Sequence, residues 1–215
     1  MDIPKRKTYR HGDLHRALLD AGIALARVGG PTAVVLREAT RQAGVAPNAA
    51  YRHFADRHAL LQAVCAAAQA ELAQAIEAQW TLAGQGKDAA DAARAHLRAV
   101  GTGYMRFARA QPGLFRTAFS VHEDLQRAGM PEMAGKSGLT PFQLLSTALD
   151  EMVAAGVLPP EGRPGAEFLA WSAVHGLSML LIDGPLRILD ATQAEAVGQR
   201  LIDMVELGLP AAAVH

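Results

Sequence analysis

Asn48, Tyr51, Arg52 and His53 lie within six residues of one another, an amide, a phenol, a guanidinium and an imidazole with nothing but alanine between. The chemistry this set performs is the recognition of nucleic acid. A phenol and an imidazole both donate to phosphate oxygen, and such contacts fix register without reading sequence. An Asn amide pairs bidentately with adenine N6 and N7, and the methyl of an Ala such as Ala49 meets a thymine methyl. Arg37 and Arg52 suit guanine or phosphate.

The elements that would position these groups are legible around them. Gly44 follows an apolar-periodic run, where a helix end needs a left-handed residue that only Gly adopts cheaply. Val45 turns inward, and Ala46-Pro47 opens a second short helix, since the first turn loses nothing by lacking an N–H. Residues 35–54 therefore read as two short helices joined by a glycine turn, with Tyr51, Arg52 and His53 on the second. That is a helix-turn-helix, whose second helix lies in the DNA major groove. Ala50 and Phe54 face the domain core.

Charge is distributed to match. The chain has 21 basic and 21 acidic residues, but residues 1–60 hold ten Lys/Arg against five acids, and the rest eleven against sixteen. The first segment is thus net +5 and the remainder net −5, the footprint of a chain with one end facing phosphates. One Cys, Cys65, excludes an internal disulfide and reads as a packing residue. His11 and His15 share a helix face, but no Glu completes a His-Glu-x-x-His pattern, so no metal is expected. Paired catalytic carboxylates, a nucleophile–base arrangement and a phosphate loop are all missing, and neither catalytic residues nor a cofactor are assigned. No apolar run approaches the roughly 18–20 residues of a membrane span, and residues 1–5 have no apolar leader. The expectation is a cytoplasmic protein with no membrane partner.

Half the residues are hydrophobic, aromatics are few and β-branched runs are absent, which favours an all-α fold. Residues 1–10 read as a flexible basic arm. A first helix from about Gly12-Asp13 carries the stripe Leu14, Ala17, Leu18, Ala21, Leu25 and Val28 and stops at Gly29-Gly30-Pro31. Asp56 caps a long helix to about Trp80 or Ala83, with Leu60, Leu61, Val64, Ala68, Leu72 and Ile76 inward. A turn at 84–87, a helix from Asp88 to Ala110 and a short segment from Pro112 follow. Residues 127–139 read as a loop. Thr140-Pro141 starts a helix through about Ala155, closed by Gly156. A loop from Pro159 to Pro164 leads into an apolar helix over 166–182, and the last helix spans about 192–208. That makes nine or so helices and no strand.

Tyr9-Arg10-His11-Gly12-Asp13-Leu14, Leu36-Arg37-Glu38, Ala43-Gly44-Val45 and Tyr51-Arg52-His53-Phe54-Ala55-Asp56-Arg57, followed by Leu60-Leu61, resemble the N-terminal domain of TetR-family transcriptional regulators. Trp171-Ser172-Ala173-Val174-His175-Gly176, with Gln111-Pro112-Gly113-Leu114-Phe115 upstream, resembles a subgroup whose effector domain bears a Trp-x-x-x-His-Gly signature. The resemblance implies a DNA-binding domain over 11–56 and an effector-binding and dimerisation domain over 57–210. It assigns DNA contact to Tyr51 and His53, with Arg57 gripping phosphate at the start of the fourth helix. Val35 stands where the family commonly has a capping Thr, and Ala39 and Thr40 replace a larger aliphatic and Ala, which implies a looser helix-turn-helix core. The implied mechanism is a homodimer on a palindromic operator, paired through its last two helices. A small molecule in the body would tilt the long helix and release the DNA.

The body offers its own candidates for that ligand. His175 sits one turn from Trp171 in an apolar stripe with Met179 and Leu180, where an imidazole needs a partner, either a side chain or an effector. Tyr104, Phe107, Phe115, Phe119 and Phe142 are the aromatics that pack the core or line a cavity with them. Scarce Lys and Arg there hint at a neutral or apolar effector. A body packed solid would instead mark a constitutive DNA-binding protein.

Overall fold

A computed structural model describes residues 11–83, 88–121 and 129–212, and among them it places nine α-helices and no strand. The arm over 1–10, the turn at 84–87 and the first two residues of the 127–139 loop lie outside the described residues.

α1 (His11–Gly29), α2 (Leu36–Ala43) and α3 (Pro47–Ala50) form a small N-terminal unit around Leu18, Val34, Leu36, Ala39, Ala50 and Phe54. Val28, placed on the inward stripe, is 92% exposed, while Ala26 is fully buried. The last turn of α1 is covered on its Ala26 side, where a later helix packs, and burial shifts there. Gly44 ends α2 in the left-handed conformation, φ 68°, and Val45 N–H closes the turn on Thr40 O at 3.0 Å. Val35 precedes α2 without a side-chain cap. The expected looseness does not extend to the core: Ala39 and Thr40 are buried, and the Thr40 hydroxyl donates to Arg37 O at 2.6 Å.

α4 (Arg57–Ala83) is the spine. Asp56 caps it by accepting Ala59 N–H at 2.8 Å, and Leu60, Val64, Ala68, Leu72 and Ile76 have no exposed surface. It has 27 residues, and an 18-residue window within it reaches mean hydropathy 1.3, long and apolar enough to cross a membrane, contrary to the reading that no such run exists. Here that apolarity serves packing: α4 runs against α1, α5, α6 and α7.

The body adds α5 (Ala89–Ala110), α6 (Pro112–Ala118), α7 (Pro141–Ala154), α8 (Ala166–Ile182) and α9 (Ala191–Ala212). Asp88 caps α5 through Asp91 N–H at 2.8 Å, and Thr140 with Gln143 makes a capping box at α7. α9 continues past Gly208 and Pro210, which ordinarily weaken a helix. Leu209 between them is only 5% exposed, so packing prevails over propensity.

Candidate nucleic-acid interface and internal cavity

α3 is shorter than the sequence predicts. Its regular turns end at Ala50, and the N–H groups of His53 and Phe54 both close on Ala50 O at 2.9 Å. Tyr51, Arg52 and His53 therefore occupy a hydrogen-bonded turn that extends the helix. Phe54 fixes this turn by burying its ring, and His15 of α1 stacks on it with ring centroids 4.7 Å apart. Ala46, Asn48, Tyr51 and Arg52 are exposed, and Ala49 and His53 are half-buried. Pro47 supplies the first turn of α3.

Arg37 and Arg52 are exposed and form no ion pair among the described residues, which leaves both free to meet phosphate. Arg41 is occupied by Glu38, one turn away at 2.5 Å. Arg57, expected to grip phosphate, is exposed and also holds main chain. Its Nε donates to Val34 O at 2.8 Å and its Nη2 to Pro31 O at 2.7 Å. Two of its donors thus hold the turn between α1 and α2, so its first role is to brace the helix-turn-helix against α4.

In the body, α4 to α9 line a partly open cavity of about 460 Å³. Five of the eight candidate residues border it: Tyr104, Phe119, Phe142, Trp171 and His175. Three do not. Phe115 is fully buried behind the wall, its ring 5.5 Å from His175, and Phe107 is buried in the core. Met179 lies a full turn beyond His175, packed against the core, and its carbonyl accepts the N–H groups of Asp183 and Gly184 where α8 ends.

His175 finds a side-chain partner. Trp171 Nε1–H donates to the Tyr104 hydroxyl at 3.1 Å, and that hydroxyl lies 2.7 Å from His175 Nδ1. Burial pushes the Tyr104 phenol well above its ordinary pKa, so it stays protonated. Burial also lowers the pKa of His175, which keeps the ring neutral. The indole thus donates to the phenol oxygen, and phenol and neutral imidazole share a second hydrogen bond whose direction follows the ring's tautomer.

The opposite wall carries residues that sequence reasoning passed over. Cys65 and Gln69 of α4 both border the cavity, and both donate to Ala118 O, at 3.1 and 3.0 Å. Gln69 stands three residues before Leu72 on the inward face, and an amide in an apolar stripe was the available signal. Met133, which borders the cavity from a turn before α7, gave none. Among the described residues, no Lys, Arg, Asp or Glu lines the cavity. Among the described residues no three His, Cys, Asp or Glu side chains gather where they would hold a metal.

Residues 18–64 match the model of bacterial regulatory proteins of the tetR family, and residues 97–205 match that of the tetracyclin repressor-like C-terminal domain. Among solved structures, the fold is similar to a protein of unknown function from Rhodococcus sp. RHA1, 26% identical over 95% of this chain and 100% of that one, with TM-score 0.72. It is also similar to a TetR family transcription regulator from Marinobacter aquaeolei VT8, 18% identical over 90% and 93% of the two chains, TM-score 0.60. A third, a putative tetR family transcription regulator from Shewanella sp. PV-4, is 18% identical over 88% and 96%, TM-score 0.56. No curated protein sequence matches.

Proposed function

The chain belongs to the TetR family of DNA-binding transcriptional regulators, and from that premise we propose that it is a cytoplasmic, homodimeric repressor released from a palindromic operator by a small molecule. In this reading residues 1–10 are a basic arm, 11–56 the DNA-binding domain and 57–210 the effector-binding and dimerisation domain. Arg37, Asn48, Ala49, Tyr51, Arg52, His53 and Arg57 contact the operator, with Ala46 and Pro47 at the approach to the groove.

One observation carries the effector half: the cavity of about 460 Å³ is bordered by α4 itself, the helix that also packs on α1. Its size suits a small ligand, and a constitutive DNA binder would have no use for it. An occupant that favours one tilt of α4 over another shifts the spacing of the two recognition helices. The dimer half rests on the outer face of α8 and α9. Leu169, Leu180, Met204 and Leu207 are 60, 44, 60 and 71% exposed. Gly176 lies among them with no neighbour near its missing Cβ. A mid-helix Gly costs about 1 kcal/mol, and close approach of a partner helix explains its use here.

Selection of binding sites from randomised duplex DNA tests the reading. An inverted repeat bound by two protomers is the expected result, and a single asymmetric site would overturn the dimer. Ala170→Phe, which fills the cavity from α8, should change operator affinity at least several-fold. Unchanged affinity would separate the cavity from DNA binding.

A further inference from the structure

The described polar side chains that line the cavity are Cys65, Gln69, Tyr104, Trp171, Ser172 and His175, and two of them matter most for a ligand, the His175 imidazole and the Gln69 amide. An indole N–H can only donate, so the Tyr104 oxygen accepts it. His175 Nδ1 is the acceptor that lies within reach of the phenol proton among the described residues, and we assign the proton to that bond because a buried phenol O–H is costly to leave unpaired. An accepting Nδ1 carries no proton, so the neutral ring holds its proton on Nε2. That Nε2–H has no partner among the described residues, and it is not among the atoms sealed from open space, so it faces room that the ring borders. Across from it, Gln69 spends its amide N–H on Ala118 O, which leaves its carbonyl oxygen open. Between them stand the aromatic faces and edges of Phe119, Phe142 and Trp171.

We infer that the occupant is a neutral, flat ring compound bearing a carbonyl-type acceptor, and that His175 Nε2–H selects it. This rests on the effector reading above. Among the described residues that line the cavity there is no Lys or Arg to meet a carboxylate and no Asp or Glu to meet an ammonium, so either ion would give up hydration without a counterion from them. A hydrocarbon would leave the imidazole N–H unpaired. A carbonyl satisfies it, while the ring packs in edge-to-face or offset contact with the walls.

The test is calorimetric binding of three naphthalenes of matched shape to the full-length protein: 2-acetylnaphthalene, 2-isopropenylnaphthalene and 2-naphthoate. The ketone should bind about tenfold more tightly than the hydrocarbon, the upper range of one net hydrogen bond, and more tightly than the carboxylate. His175→Phe should abolish that preference and His175→Gln should restore part of it, since a Gln amide can place an N–H near the same point. If His175→Phe fails to fold, the comparison within the wild-type protein still decides. Equal or tighter binding of the hydrocarbon or the carboxylate overturns the inference, as does failure of all three to bind. A changed operator affinity in Ala170→Phe, with no ketone preference, would sink the ligand class and leave the regulator reading standing.

Discussion

Gly113 of α6 rests on the backbone of Ala26 in α1: a Cβ there would overlap the carbonyl oxygens of both Ala26 and Arg27. At the other end of the same seven-residue helix, Ala118 O receives the Cys65 thiol and the Gln69 amide at the cavity wall. A bidentate pair between Arg116 and Asp183, at 2.5 and 2.8 Å, ties α6 to the end of α8 as well. One short, stiff element thus touches the DNA-binding unit, the cavity and the proposed dimer helices. Movement of Ala118 or Phe119 has little to absorb it before reaching α1.

Gly113→Ala should therefore do more than an added methyl ordinarily does. The obstacle is main chain rather than a flexible side chain, so α6 must shift away from α1. Overpacking of this kind costs about 1–3 kcal/mol. Thermal unfolding should show the loss, and operator affinity should fall at a temperature where the variant remains folded. Unchanged melting would mean that α6 does not bear on α1.

Asn48 and Arg57 should separate reading from bracing. Asn48→Ala should relax preference at one base pair per half-site, about 1–3 kcal/mol, with no change in melting temperature, because the side chain is exposed. Arg57→Lys keeps the charge but loses the planar fork in which Nε and Nη2 each meet one carbonyl. It should lower melting temperature by the equivalent of about one hydrogen bond, 0.5–1.5 kcal/mol, and weaken all DNA sequences alike. Binding selections and melting curves on both variants check this. A stable Arg57→Lys would return Arg57 to a purely phosphate role.

Helix starts were legible because caps are local. Asp56, Asp88 and the Thr140–Gln143 pair each act within three residues of their own position. What the sequence left hidden depended on distant chain. Arg57 is claimed by carbonyls 23 and 26 residues away. Val28 continues a stripe whose last turn is covered from the side by α6. Phe115 and Phe119 have the same chemistry and lie one turn apart, yet one is sealed in the core and the other borders the cavity. Which of two such rings faces a void is set by the helix opposite, and neither residue encodes it.

Stability should fall as pH drops through the histidine range. Burial holds the His175 pKa below its ordinary value. Between that lowered value and about pH 6.5 the unfolded chain binds a proton that the folded chain does not. Stability therefore rises with pH across this window and levels off above it. The groups facing the ring are Tyr104, Trp171, Phe115 and Phe119, none of which titrates there, and among the described residues no carboxylate borders the cavity to reverse the sign. The lowered carboxylates of Glu77, Glu167 and Asp183 act in a separate, more acidic window. Thermal melts from pH 8 to pH 5 should show a slope that His175→Gln flattens. An equal slope in the variant would assign it to another histidine.

Met204→Glu should split the dimer. Met204 is 60% exposed in the single chain and lies one turn from Leu207, itself 71% exposed, on the outer face of α9. Neither residue packs within its own protomer enough to explain an apolar side chain at that position. In a two-fold pair formed by α8 and α9, position 204 would meet its own copy or a near neighbour, since a C2 interface uses the same patch twice. Two carboxylates brought together there lose hydration without gaining a counterion. The substitution leaves the core of the monomer untouched, because the adjacent inward positions Ile202 and Glu206 are already buried. Its melting should thus be altered only by dissociation. Sedimentation equilibrium should show a monomer at micromolar concentration where the wild type is a dimer, and operator affinity should fall by orders of magnitude as the two half-sites are no longer read together. A variant that remains dimeric with full operator affinity would place the interface elsewhere on the chain.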